Sequence, residues 1–181
     1  AKQMIKVFAE SEYVVAPSGS CAAMVHEYEK LFAEDPKWRE KAASLAEKTY
    51  EFTQFLVDVL KVDDVGARFS ARGAYHTSCH MTRLLGVEDA PMRLLHHVEG
   101  LELVPFANAY DCCGFGGTFS VKMPAISAEM ADEKIRHVEG SDAEVLIGAD
   151  SGCLMHLQGR MSRLGKPVEV KHVAQVLNMR K

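Results

Sequence analysis

The chain has 181 residues, 48% of them hydrophobic and 25% charged, which is enough apolar material for an ordinary core and outside the composition of disordered or fibrous chains. Its formal net charge of −4 argues against nucleic acid and anionic membrane surfaces as partners. There are five cysteines, an odd number, no apolar run near the ~20 residues of a membrane span and no export signal; together these argue for reduced thiols or metal ligands in a cytoplasmic protein rather than a disulfide framework.

Residues 1–10 carry helical spacing, Tyr13-Val-Val-Ala16 reads as extended, and the stretch from Cys21 to Ala33 is helical again. Asp35-Pro36 has the form of an N-cap followed by proline at the first helical position. From there an apolar stripe of Trp38, Ala42, Leu45, Thr49, Phe52, Leu56 and Val59 predicts one long helix reaching Leu60. Lys61 to Ala67 is polar and reads as a seam, which divides the chain into 1–62 and 63–181. Beyond it Gly73-Ala-Tyr75 is strand-like, short helices are expected around Thr82 to Leu85 and Met92 to Val98, and Leu101 to Phe106 is strand-like. Pro124 opens a helix with Ile126, Met130, Lys134 and Val138 along one face. Ala143 to Ile147 is the clearest buried strand, followed by a helix from Cys153 to Leu164, a strand from Val168 to Val170 and a last helix from His172 to Met179. This alternation predicts an α/β fold with a largely parallel sheet.

An internal repeat runs through the pattern. Tyr13-Val-Val-Ala-Pro-Ser-Gly-Ser-Cys21 lies over Val145-Leu-Ile-Gly-Ala-Asp-Ser-Gly-Cys153, each an apolar strand, a small-residue turn and a cysteine opening a helix. The same register sets Lys2 over Lys134. The reading is of two pseudo-symmetric α/β repeats, the first truncated at its N-terminus, with the chain a fragment or processed product of a longer protein.

Cys112 and Cys113 stand together in the run Asp111-Cys-Cys-Gly-Phe-Gly-Gly117. A bridge between neighbours would be strained, because adjacent Cα atoms lie about 3.8 Å apart, below the usual ~4.4 to 6.8 Å of a disulfide. A shared inorganic centre is the sharper reading, and the glycines of the run let backbone pass close to it. Cys79 follows one predicted strand, Cys112 and Cys113 the next, and Cys153 the one after. In a parallel sheet all four reach the carboxyl edge, where such folds place their sites. The positive end of the helix opened by Ser151-Gly152 favours an anionic ligand there. The count suits an iron–sulfur centre. A tetrahedral zinc site needs the same four thiolates, but the spacing lacks the paired knuckles usual for zinc.

Cys79, then Cys112-Cys113-Gly114, then Cys153 followed by Leu-Met-His156 resembles the cysteine-rich CCG domain family, whose pattern is Cys, a gap, Cys-Cys-Gly, a gap, then Cys-x-x-Cys. That domain occurs twice in tandem in the cysteine-rich subunit of heterodisulfide reductase, in the glycolate oxidase iron–sulfur subunit and in the lactate-utilisation protein A group, to which Cys112 to Lys122 and Gly148 to His156 are most similar. The resemblance implies that 1–62 is the C-terminal part of a first CCG repeat plus the long helix, and that 63–181 is a complete second repeat. It implies cluster ligands at Cys79, Cys112, Cys113 and Cys153, with Cys21 belonging to a first site. One departure is that His156 stands where the pattern has its closing cysteine, so His156 enters as a further candidate ligand, and a [4Fe–4S] centre is expected in place of a five-cysteine cluster.

The function implied is an iron–sulfur electron-transfer subunit of a lactate or glycolate oxidation complex, with iron–sulfur or flavin subunits as partners and a location peripheral to the membrane through that complex. Thiol–disulfide oxidoreduction and a structural four-cysteine zinc module are the alternatives. His76 and His80 flank Cys79 as candidate hydrogen-bond donors to sulfur. His96-His97 has no carboxylate at ligand spacing, and Asp150 reads as a turn residue. The cluster is expected to be lost in aerobic preparations, and the stripe through Trp38, Leu45, Phe52 and Leu56, left uncovered by truncation, predicts a homodimer.

Overall fold

The computed structural model describes residues 1–180, whose elements follow in chain order: α1 (Lys2–Val7), β1 (Val14–Ala16), α2 (Gly19–His26), α3 (Tyr28–Leu31), α4 (Pro36–Glu47), β2 (Thr49–Glu51) and α5 (Phe52–Gln54), which continues as a π-helical turn over Phe55–Val59. The second half contributes β3 (Arg68–His76), α6 (Cys79–Leu85), α7 (Asp89–His96), β4 (Glu99–Leu103), α8 (Thr118–Lys122), α9 (Pro124–Glu139), β5 (Val145–Gly148), α10 (Ser151–Arg163), β6 (Glu169–His172) and α11 (Val173–Leu177). Every strand pairing is parallel: β1 with β2, and a four-stranded sheet in the order β4-β3-β5-β6. The expected α/β class with a parallel sheet is what the chain adopts.

Alternation along β5 explains why the sheet is covered on both faces. Val145 and Ile147 point to one side and pack with Met81 of α6, Leu94 and Leu95 of α7 and Val176 of α11. Leu146 points to the other and joins Ile135 of α9 and Leu157 and Met161 of α10. All four residues of β5 are buried, as expected of a strand with helices on both sides. Strand order reverses between β3 and β5, so their following helices, α6 and α10, leave on opposite faces and open a crevice at the carboxyl edge.

The register of the two flanking pairs supports the internal repeat. Val14, Val15 and Ala16 pair with Thr49, Tyr50 and Glu51, just as Leu146, Ile147 and Gly148 pair with Val170, Lys171 and His172. Each second strand ends in a reciprocal cap, Glu51 with Gln54 and His172 with Gln175.

Three expectations are corrected. The long helix from Pro36 ends at Glu47, because Thr49-Tyr50-Glu51 leaves the helix to pair with β1; β-branched and aromatic residues suit that edge, and tertiary pairing overrides the helical stripe. The stripe is therefore divided and covered: Trp38 and Leu45 pack with Ile5, Val14 and Val25, while Phe52 and Leu56 pack against the cluster around Leu94, so the premise of the dimer reading does not hold. Helix α9 buries Ser127, Ala131, Lys134, Ile135 and Val138, and Ile126 is exposed, a face rotated by one residue from the expected one; α8 was not foreseen. Among the described residues, no helix is long and apolar enough to cross a membrane.

Candidate metal centre

Each cysteine reaches the carboxyl edge by a separate route. Cys79 opens α6 just after β3, Cys153 lies in the first turn of α10 just after β5, and Cys112-Cys113 is carried by the loop beyond β4. These are the two sides of the crevice and the loop that closes it. Cys113 and Cys153 are buried, Cys79 and Cys112 half-buried, and all five cysteines are free thiols. Contacts run in a chain from Cys79 to Cys112, Cys112 to Cys113 and Cys113 to Cys153. The four thiols that the spacing singled out, from three separate segments, therefore meet. They line one cavity of about 550 Å³, and Cys21, exposed at the start of α2, opens onto the same cavity.

The loop geometry follows from Gly114. Its φ is +86°, and a Cβ there would lie 2.5 Å from the carbonyl oxygen of Ser127, so only glycine lets the loop seat on α9. The seat is fixed by Ser127 Oγ donating to Gly114 O at 2.7 Å, and Gly114 N–H donates to Cys112 Sγ at 3.4 Å. Hydrogen bonds from Cys113 and Cys79 hold the Cys112 thiol well below the ordinary thiol range. Cys113 is pushed up by its contacts with Cys112 and Cys153 and by burial; contact with Cys112 and then burial do the same to Cys79. The set thus offers one ready thiolate and further thiols that lose their protons when metal enters.

Two charged groups frame the site. Lys134 on α9 is buried, donating from Nζ to the carbonyls of Asn108 at 2.9 Å and Ala109 at 3.1 Å, with the Phe106 ring 5.3 Å away. Burial lowers its pKa. Asp150 is 2% exposed and joins three cysteine-bearing helices. Its Oδ1 accepts from Gly152 N at 3.1 Å and Cys153 N at 3.3 Å, capping α10, while Oδ2 accepts from Ser20 N at 2.7 Å in α2 and lies 3.5 Å from Ser78 Oγ before α6. Burial works to raise this carboxyl, and the hydrogen bonds from Ser20, Cys153 and Ser18 outweigh it and leave it lowered.

Of the histidines, His76 at the end of β3 is 1% exposed, and its ligand atom lies within 4.8 Å of those of Cys113 and Cys153. Burial, with the Lys134 charge nearby, lowers its pKa to about 3, so the ring is neutral. His80 Nδ1 lies 3.6 Å from Cys79 Sγ. His156 turns away: its Nε2 is 3.3 Å from Ser127 Oγ, and it lines a different cavity, with Phe115 bordering both. It sits one turn further along α10 than Cys153, away from the strand edge, and is not brought to the thiols. Sequence reasoning passed over Lys134 and Asp150 as site residues. A lysine on the buried face of a helix was the visible signal for the first; the reach of Asp150 across 130 residues to Ser20 had none.

The donor chemistry of four thiols and a neutral imidazole fits a thiophilic metal or an iron–sulfur centre. Comparison with known proteins agrees with the cysteine pattern. A family model described as "Cysteine-rich domain" (CCG) matches residues 73–158, from β3 to within α10. The chain is 65% identical over 179 residues to lactate utilization protein A of Geobacillus kaustophilus (strain HTA426), covering 99% of this chain and 75% of that protein. Identity to the protein of the same name from Geobacillus thermodenitrificans (strain NG80-2) is 63% with the same coverage, and to that of Halalkalibacterium halodurans 59%, covering 98% of this chain and 73% of that one.

Proposed function

Because the chain belongs to the lactate utilization protein A family and carries its cysteine-rich domain, we propose that it is an iron–sulfur electron-transfer subunit of a lactate oxidation complex, working with other iron–sulfur or flavin subunits in the cytoplasm. Cys79, Cys112, Cys113 and Cys153 hold the cluster, a [4Fe–4S] centre, within residues 63–181 read as one complete repeat. The observation that carries this reading is the meeting of four thiols from three separate strand ends in one crevice. When bound, such a centre supplies one-electron transfer between partner subunits.

The remaining work belongs to the chain. Lys134 places a positive charge beneath the loop and offsets the negative charge that thiolate ligands bring. Asp150 fixes the helix starts that aim Cys79 and Cys153, and the packed faces of the sheet keep Cys113 and Cys153 from water. The test is anaerobic mixing of the iron- and sulfide-reconstituted protein with its partner subunits and lactate. Bleaching of the visible thiolate-to-iron absorption on adding lactate is expected. A visible band that lactate leaves unchanged, while dithionite bleaches it, would count against electron transfer from lactate.

A further inference from the structure

Among the described residues three side chains keep a buried polar atom without a hydrogen-bond partner, one atom each in Glu51 and His172 and both ring nitrogens in His76. His76 is the last residue of β3, paired in register with Gly148, and only 1% exposed. Other histidines of the chain are occupied: His26 faces Thr49 O, His97 faces Arg93 O, His156 faces Ser127, and His172 Nδ1 accepts from Ala174 N. Leaving a buried donor or acceptor unsatisfied costs about 1–3 kcal/mol, so such a group calls for a partner absent from the protein itself. What the imidazole meets instead is sulfur, its ligand atom lying within 4.8 Å of those of Cys113 and Cys153.

We infer that His76 supplies an imidazole nitrogen to the metal held by Cys113 and Cys153. The inference rests on the reading of this crevice as a metal site. The chemistry is consistent at each atom: a neutral imidazole offers one lone pair, which is the form that binds metal, and iron, zinc and cobalt all accept mixed nitrogen and sulfur donors. The position is also rigid, since pairing in register with Gly148 of β5 holds the strand end more firmly than a loop would.

The test uses full chain labelled with ¹⁵N-histidine, reconstituted anaerobically with iron and sulfide, reduced and examined by pulsed electron paramagnetic resonance. A directly coupled ¹⁵N in the wild type, lost in His76→Ala and retained in His80→Ala and His156→Ala, is the expected result. Absence of the coupling in the wild type, its persistence in His76→Ala, or its loss in either of the other two variants would overturn the inference. The cluster reading fails separately, if the wild type takes up no acid-labile sulfide. In that event the same labelled protein loaded with Co²⁺ alone decides the role of His76, a coupled ¹⁵N supporting it and none overturning it.

Discussion

The β1–α2 and β5–α10 units share a strand register, a turn of the same length and a cysteine at the same place, yet they are not equivalent in what they do. Ser18 and Asp150 occupy matching positions before the two helices. Ser18 makes no cap bond to its own helix, whereas Asp150 caps α10 and also takes the Ser20 N–H of α2. One carboxylate from the second half thus serves both helix starts. Cys21 follows β1, whose partner β2 delivers no thiol, while Cys153 follows β5 in a sheet whose β3 and β4 each deliver further thiols to the same edge. The difference teaches that a strand-turn-cysteine unit is a scaffold; the neighbours in the sheet turn it into a site.

The largest effect that would sharpen this contrast comes from His76, which has no counterpart in the first half. Its folded-state pKa near 3 lies below the ordinary 6.5, so the unfolded chain takes up a proton first as pH falls. Stability from keeping this ring neutral is therefore fully present above about pH 6.5 and is lost as pH falls toward 3; at about 1.4 kcal/mol for each tenfold difference in proton affinity, the whole window is worth about 5 kcal/mol. Urea unfolding of reduced, metal-free protein across that range is expected to show the slope in the wild type and a flatter one in His76→Gln. An unchanged slope in the variant would assign the acid sensitivity elsewhere.

Next is the shared carboxylate. Asp150→Ala removes a helix cap and leaves the part-buried Ser20 N–H without its acceptor, together about 2–3 kcal/mol, whereas Ser18→Ala is expected to cost under about 1 kcal/mol. Equal losses in denaturant midpoint for the two variants would break the asymmetry between the helix starts. Smaller again is the effect at the next matched pair, Gly19 and Ser151. A Cβ at Gly19 would sit 2.5 Å from Met81 Cβ, where α2 packs on α6, so Gly19→Ser should cost about 1–3 kcal/mol although the matching position already holds serine. Ser151 is exposed, and Ser151→Gly should change stability by no more than about 0.5 kcal/mol. Thermal melts of the two single variants decide between this picture and a freely interchangeable repeat.

Much of this was readable from residues alone where the signal was local. Asp35-Pro36 does open a helix, with the Asp35 side chain accepting from Trp38 N, and each thiol of the second half follows a strand end as its spacing implied. What failed was long-range. The stripe through Leu45, Thr49 and Phe52 has helical period, and nothing in it reveals that Thr49 to Glu51 will find β1 as a parallel partner some 35 residues earlier. The same limit hid the true orientation of His156, whose place in the motif pointed to the thiols while its side chain faces Ser127. His76 was noticed for standing near Cys79 in sequence, yet its closeness to Cys113 and Cys153 depends on β3 and β5 being neighbours in the sheet.

The most direct measurement is iron and acid-labile sulfide per chain after anaerobic reconstitution of the wild type, Cys21→Ser and the single serine variants of Cys79, Cys112, Cys113 and Cys153. The account predicts roughly four of each in the wild type and in Cys21→Ser, with a loss of both, and of the visible absorption, in the other four variants. Zinc uptake without sulfide in the wild type, or loss of iron in Cys21→Ser with the others unaffected, would contradict it.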